Sequence, residues 1–149
     1  MRVLILGGDG FLGWPTAMAF AKQGHDVCVV DNYLRRNIAQ QTQSEALIPT
    51  PNLHDRAAIF KSVSDVPMQV EIGDCADYRM MSNLFQKFQP EAVIHYAEQP
   101  SAPYSMMGFD EASLTLNNNL NATFNLIWAV LEHAPDCHII KLGTMGEYG

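Results

Sequence analysis

The 149 residues predict a doubly wound α/β domain, a single parallel sheet with helices on both faces. Three observations carry this reading. Short apolar runs alternate with longer stretches of helical periodicity along the chain. The first run leads straight into a glycine-rich turn, Gly7-Gly8-Asp9-Gly10-Phe11-Leu12-Gly13. The second run ends on a carboxylate, Asp31.

Taken in order, Val3-Leu4-Ile5-Leu6 is continuously apolar, as a strand buried on both faces must be. Residues 11–23 read as a helix, with Pro15 tolerated in the first turn and Gly24 as a stop. Val27-Cys28-Val29-Val30 is a second buried strand. The stretch from Tyr33 to Pro67 is long for one connection. It holds a helix near Arg35 to Leu47, a Pro49-Thr50-Pro51 break and a second helical stretch from His54 to Val63. Met68 to Ile72 is the third strand. Asp77 caps a helix with an apolar stripe of Met80, Met81, Leu84, Phe85 and Phe88, ended by Pro90. Ala92-Val93-Ile94 begins the fourth strand. Asp110 caps a long helix carrying Leu116, Leu120, Phe124, Ile127 and Leu131 at helical spacing. Cys137 to Leu142 is the fifth strand.

Composition narrows the function classes. Hydrophobic residues make up 48% and charged residues 17%, which supports a packed core and excludes a disordered chain. Nine Lys+Arg against 16 Asp+Glu leave a net charge of −7, and the longest basic run is Arg35-Arg36. Nucleic acid is therefore not an expected partner. No apolar run approaches the ~20 residues of a membrane helix. The N-terminus opens directly into a strand with no signal or transit peptide ahead of it, so a cytoplasmic location is expected, or a plastid stroma in a plant-type source. Cys28, Cys75 and Cys137 are odd in number and widely spaced, which fits neither a disulfide framework nor a zinc ribbon. His25, His54, His95, His133 and His138 show no metal-ligand spacing, and no metal is expected.

Gly7, Gly10 and Gly13 form a GxxGxxG turn between a strand and a helix. Such a turn must be tight, must let backbone approach a pyrophosphate and must let the helix pack near the strand. Free amides at the helix N-terminus, Phe11 among them, then receive phosphate charge. Asp31 is placed to accept hydrogen bonds from a ribose 2′,3′-diol and would repel a 2′-phosphate, which favours NAD over NADP. Arg35 and Arg36 keep NADP as a minority alternative, and a plain glycine turn with a solvated Asp31 is the structural alternative. Gly73-Asp74-Cys75 ends the third strand on the same edge. Asp74 is placed for the adenine amino group, with Cys75 offering its amide.

These features, with Gly143-Thr144 and Tyr148-Gly149 after the last strand, resemble the extended short-chain dehydrogenase/reductase superfamily of NAD-dependent nucleotide-sugar epimerases and dehydratases. More narrowly, the chain is similar to the sulfoquinovose synthases of sulfolipid biosynthesis. The matching stretches are Gly7 to Gly10 with Gly13-Trp14, Val27 to Asn32, Arg35-Arg36, His54-Asp55-Arg56, Glu98-Gln99, Ser101 to Met106, Asn118-Asn119 and Lys141 to Gly149. The fold implied is the NAD-binding Rossmann domain, incomplete over residues 1–149, truncated after the fifth strand and without the substrate domain.

The resemblance implies conversion of UDP-glucose and sulfite to UDP-sulfoquinovose through a 4-keto intermediate, with NAD catalytic and regenerated. It implies that Asp31, Asn32 and Arg35 hold the adenosine, that Asp74 and Cys75 sit at the adenine, and that Asn118 faces the cofactor or active site. It makes Thr144 the catalytic hydroxyl that orients the sugar 4-hydroxyl, lets Glu147 assist proton transfer, and puts Gln99 and Ser101 at the sugar or sulfite. It also implies a homodimer in which the long helix, with Trp128, joins the interface and leaves apolar surface exposed when alone. Pro100 departs from the pattern, standing where the family has a basic residue. Thr144-Met145-Gly146 replaces the Thr-Asp-Glu of ordinary dehydratases. No Tyr-x-x-x-Lys pair occurs, so residues 1–149 alone are expected to bind NAD weakly without turnover. Another nucleotide-sugar epimerase or dehydratase, or a dinucleotide-binding module without chemistry, are the alternative functions.

Overall fold

The computed structural model describes residues 1–143. Along the chain run β1 (Arg2–Leu6), α1 (Gly13–Lys22), β2 (Asp26–Asp31), α2 (Leu34–Gln41), α3 (Leu53–Ser64), β3 (Gln69–Ile72), α4 (Tyr78–Phe88), β4 (Ala92–His95), α5 (Ala102–Ser105), α6 (Phe109–His133) and β5 (His138–Lys141). The strands form one sheet in the order β3-β2-β1-β4-β5, every pair parallel. This is the doubly wound arrangement that the alternation of elements predicts, and its order reverses between β1 and β4.

Strand residues alternate sides, so one apolar run serves two cores. Val3 and Ile5 join Val27, Val29 and Ile94 beneath α1 (Trp14, Ala17, Ala21) and α3 (Leu53, Ala57, Phe60). Leu4 and Leu6 join Cys28, Val30 and Val93 beneath α4 (Met81, Leu84, Phe85, Phe88) and α6 (Ala122, Leu126, Ala129, Val130). Two faces to bury explain why β1 has no polar residue after Arg2. The outer strands differ. β3 is only partly covered and all four residues of β5 are exposed.

Local signals end the helices where expected. The Asp77 carboxylate accepts from the amides of Arg79 (2.8 Å) and Met80 (3.3 Å) and caps α4. Asn52 caps α3 by accepting from the Asp55 amide at 2.9 Å. Gly24 follows α1 at φ +84°, a conformation that side chains resist. The connection from β2 to β3 does contain two helices, although α2 stops at Gln41, short of the predicted Leu47. The short helix α5 carries no sequence signal beyond the Ser101 cap and Pro103.

The long helix departs from expectation in two ways. Its N-cap is Gly108, and Asp110 lies inside the first turn, where its charge favours the helix dipole without capping. The stripe of Leu116, Leu120, Phe124, Ile127 and Leu131 faces away from the sheet, 45–65% exposed, and Trp128 is 44% exposed. The sheet is met instead by Ala122, Asn125, Leu126, Ala129 and Val130. Small residues let the helix lie close on the strands, and periodicity alone cannot say which of two apolar faces does so. Among the described residues no helix is long and apolar enough to cross a membrane, and none of their His, Cys, Asp and Glu side chains cluster as metal ligands.

Phe85 is fully buried between the sheet and α6. Phe85→Ala should lower stability by about 3–5 kcal/mol in urea titrations. Leu116→Ala on the outward face should change it by less than about 1 kcal/mol. Equal losses would contradict this assignment of faces.

Candidate functional site

The turn after β1 is held by backbone. The amides of Gly7 and Gly8 both donate to the Val30 carbonyl at 2.9 Å, and the Gly10 amide donates to the Gly7 carbonyl at 3.2 Å. Gly7 has φ +85°, and a Cβ there would come within 2.7 Å of the Tyr96 carbonyl. A Cβ on Gly13 would collide with the Gly7 carbonyl oxygen, so a glycine here lets α1 start directly on the turn. Gly10 differs: its Cβ would meet only the Gly7 oxygen, at 3.2 Å. The space beside Gly10 is thus not filled by protein. The amides of Phe11, Leu12 and Gly13 have no protein acceptor among the described residues. α1 also has neither a side-chain cap nor an acidic residue in its first turn. Three free donors at the positive end of a ten-residue helix suit a phosphate.

Across this turn lies Asp31, at the end of β2. Its Oδ2 accepts from the Asp9 amide at 3.0 Å and its Oδ1 from the Tyr33 amide at 2.7 Å. Burial pushes its carboxyl above the ordinary value, and these two amides pull against that push. Each oxygen keeps an unused lone pair for a further donor. The Asn32 side chain accepts from the Leu34 amide at 2.9 Å and shapes the start of α2. Arg35 is exposed and makes no hydrogen bond or ion pair among the described residues.

The Gly73 amide donates to the Asp31 carbonyl at 3.1 Å, bringing Asp74 and Cys75 to the same edge. Asp74 is exposed and accepts from the Ala76 amide at 2.9 Å. Cys75 is buried, and its carbonyl accepts from Asn125 of α6 at 3.0 Å. Burial pushes the Cys28 thiol up to about 12 and the Cys75 thiol higher still, so neither is a nucleophile at neutral pH. Cys75 offers the site backbone only.

Beyond β4, Gln99 is buried and its side chain is spent internally. Its Oε1 accepts from the Ser101 amide at 2.6 Å, and its Nε2 donates to Thr115 Oγ1 at 2.7 Å. Asn119 brackets the same residue, accepting from its amide (2.8 Å) and donating to its carbonyl (3.1 Å). The neighbouring Asn118 donates to Asn119 at 2.9 Å. Of the run of asparagines, Asn119 therefore fixes the loop. Pro100 is exposed and brings no charge. Thr144 and Glu147 lie outside the described residues.

His95, at the end of β4, is completely buried. Its Nδ1 accepts from the Ala97 amide at 3.2 Å, so the proton sits on Nε2, facing Thr123 Oγ1 (3.4 Å) and Glu98 Oε1 (3.5 Å). Burial, helped by Lys141, lowers its pKa to about 4. The contact with Glu98 is thus made by a neutral ring, and the charged partner of Glu98 is Lys141 at 3.0 Å.

A family model described as the NAD dependent epimerase/dehydratase family matches residues 3–149. The chain belongs to this family. It is 43% identical, over its whole length, to the UDP-sulfoquinovose synthase of Sulfolobus acidocaldarius, covering 38% of that protein. It is 39% identical to the chloroplastic UDP-sulfoquinovose synthase of Spinacia oleracea, over 99% of this chain and 31% of that one. The chain thus spans about a third of the length of these curated relatives. Among solved structures, the UDP-glucose 4-epimerase of Bifidobacterium longum in complex with NAD+ and UDP superposes with a TM-score of 0.77. That match has 24% identity, covers all of this chain and 38% of the other, and speaks to the fold.

The NAD of the epimerase/dehydratase family fits the site. The open amides of α1, the space beside Gly10 and the spare lone pairs of Asp31 are chemically suited to a pyrophosphate and a ribose diol. Sequence reasoning did not bring Asp9, Arg36 and Arg56 together, gave Asn119 no role beyond its place in the Asn118-Asn119 stretch, and did not join His95 to Glu98 and Lys141. In the sequence, Arg56 stands out through the His54-Asp55-Arg56 stretch.

Gly13→Ala should cost about 1–3 kcal/mol of stability by overpacking, against less than about 1 kcal/mol for Gly10→Ala. Equal costs in thermal melts would refute the distinct roles. His95 supplies a pH test. Between about 4 and its ordinary 6.5 the unfolded chain binds the proton and the folded chain does not. Stability is therefore full above that window and falls with acid, by on the order of 3 kcal/mol in all. His95→Gln should flatten the slope, and an unchanged slope would show that other groups cause it.

Proposed function

We propose that residues 1–149 are the N-terminal NAD-binding portion of a UDP-sulfoquinovose synthase-like enzyme, whose whole chain converts UDP-glucose and sulfite to UDP-sulfoquinovose. The observation that carries the cofactor half is the pairing of three free amides at α1 with the Asp31 carboxylate at the switch between β1 and β4. Identity of 39–43% to two sulfoquinovose synthases supports the substrate half.

When bound, NAD supplies a hydride acceptor that can return the hydride. The chain's own residues bind and orient. The amides of Phe11, Leu12 and Gly13 hold the pyrophosphate, Asp31 takes the ribose diol with Asn32 and Arg35 beside it, and Asp74 with the Cys75 amide meets the adenine. Ser101 and Asn118 stand on the sugar side, and Gln99, its side chain spent on Ser101 and Thr115, acts there by shaping the loop that Asn119 clamps. Thr144 hydrogen-bonds the sugar 4-hydroxyl and orients it for proton loss, and Glu147 assists the transfer. A homodimer through the outward face of α6 completes the reading.

One observation favours a second reading. Pro100 removes a cation from the loop beside Gln99 and Ser101, which suits an epimerase that handles no sulfite. The absence of carboxylates at Met145 and Gly146 weighs against ordinary dehydration in either case.

Incubating the full-length protein with UDP-glucose, NAD and sulfite should yield UDP-sulfoquinovose. Epimerised sugar without sulfite consumption would support the second reading. By calorimetry, residues 1–149 should bind NAD weakly without turnover, and Asp31→Ala should weaken binding about tenfold or more. No heat from NAD⁺ or NADH with folded protein would end the cofactor assignment.

A further inference from the structure

Asp9 lies within the glycine turn and faces the adenosine side of the site. Its amide is bonded to Asp31, and its side chain, 11% exposed, meets two arginines. Arg36 grips it with both edges of the fork, Nε on Oδ2 at 2.7 Å and Nη2 on Oδ1 at 2.6 Å. The remaining Arg36 bonds run to the carbonyls of Thr50 and Pro51, each at 2.8 Å. Four of its five donors are thereby spent. Arg56, 15% exposed, donates to Asp9 Oδ1 at 3.1 Å and to the Asp9 carbonyl at 3.3 Å. Its guanidinium lies 4.4 Å from the centre of the Trp14 ring, as Arg36 lies 5.0 Å over Tyr33.

In this kind of crevice, a carboxylate after the second strand reads the ribose 2′-hydroxyl, and a nearby arginine is what accommodates a 2′-phosphate. Here the arginines are present but occupied. We propose that Asp9 is a specificity-determining residue: by holding Arg36 and Arg56 as its counterions, it denies a 2′-phosphate the cations it needs and selects NAD against NADP. The charges of Asp9, Asp31, Arg36 and Arg56 cancel, so a phosphate arriving beside Asp31 finds no net attraction. Arg35, exposed and without a partner among the described residues, offers only a solvent-screened charge. This inference rests on the NAD reading above.

The test is calorimetric titration of the full-length protein with NAD⁺ and NADP⁺. Asp9→Asn should improve NADP⁺ affinity relative to NAD⁺ about tenfold, the worth of one released charge-assisted contact. Adding Arg36→Gln and Arg56→Gln to that variant should return the ratio to its original value. A ratio that Asp9→Asn leaves unmoved, or an improvement that survives loss of both arginines, overturns the proposal. If circular dichroism shows Asp9→Asn unfolded, Arg56→Gln replaces it. That change leaves Asp9 in charge excess and should turn the ratio further against NADP⁺, and an unmoved ratio overturns the proposal. A parent protein that binds neither dinucleotide defeats the adenosine site itself, whereas one that binds NAD⁺ with an unresponsive ratio defeats only the role of Asp9.

Discussion

The backbone of Gly7 passes between the Val30 carbonyl on one side and the Tyr96–Ala97 backbone on the other, with no room for a side chain. This close passage sets the rest of the site. It draws the turn down between the ends of β2 and β4. Because Gly13 also lacks a side chain, α1 begins at once, seated on the Gly7 carbonyl. The turn's own hydrogen bonds consume the amides of Gly7, Gly8 and Gly10, and those of Phe11, Leu12 and Gly13 meet no protein acceptor among the described residues. Turn geometry and ligand capacity thus have one cause.

Electrostatics follow from the same passage. Asp31 is held at the crevice by two backbone amides, at a burial that disfavours its charge. A half-buried carboxylate with unused lone pairs gains from a hydroxyl brought to it. The Asp9 amide ties that carboxylate to the turn, and the Asp9 side chain gathers Arg36 and Arg56 from α2 and α3. The long connection between β2 and β3 thus supplies more than a crossover. It brings Arg36 and Arg56 to one point, where they lie over the rings of Tyr33 and of Trp14 on α1.

The two halves of the sheet are built differently. On the β2–β3 side, the edge is furnished with charge. On the β4 side it is furnished mainly with uncharged groups, Gln99 bonding Thr115 and Asn119 and His95 facing Thr123, beside the Glu98–Lys141 ion pair. That network ties the loop after β4 to α6. The outward stripe on α6 and the uncovered β5 are two places where apolar surface has no partner among the described residues.

Much of the fold was legible in the residues. Unbroken apolar runs identify strands covered on both faces, because a half-exposed strand alternates. Asp77 and Gly24 mark helix ends through chemistry confined to a few neighbouring residues. GxxGxxG with Asp31 marks the crevice, because only a tight turn beside a carboxylate needs that combination. The choice of buried face on α6 was not legible, since Leu116 to Leu131 and Ala122 to Val130 are both apolar at helical spacing, and only contact with the sheet separates them. Nor was the meeting of Asp9 with Arg36 and Arg56, which are 27 and 47 residues distant along the chain. Periodicity and capping are local and the chain states them outright. Pairings across such distances exist only once strand register and helix packing have brought the partners together, and that is a property of the folded state.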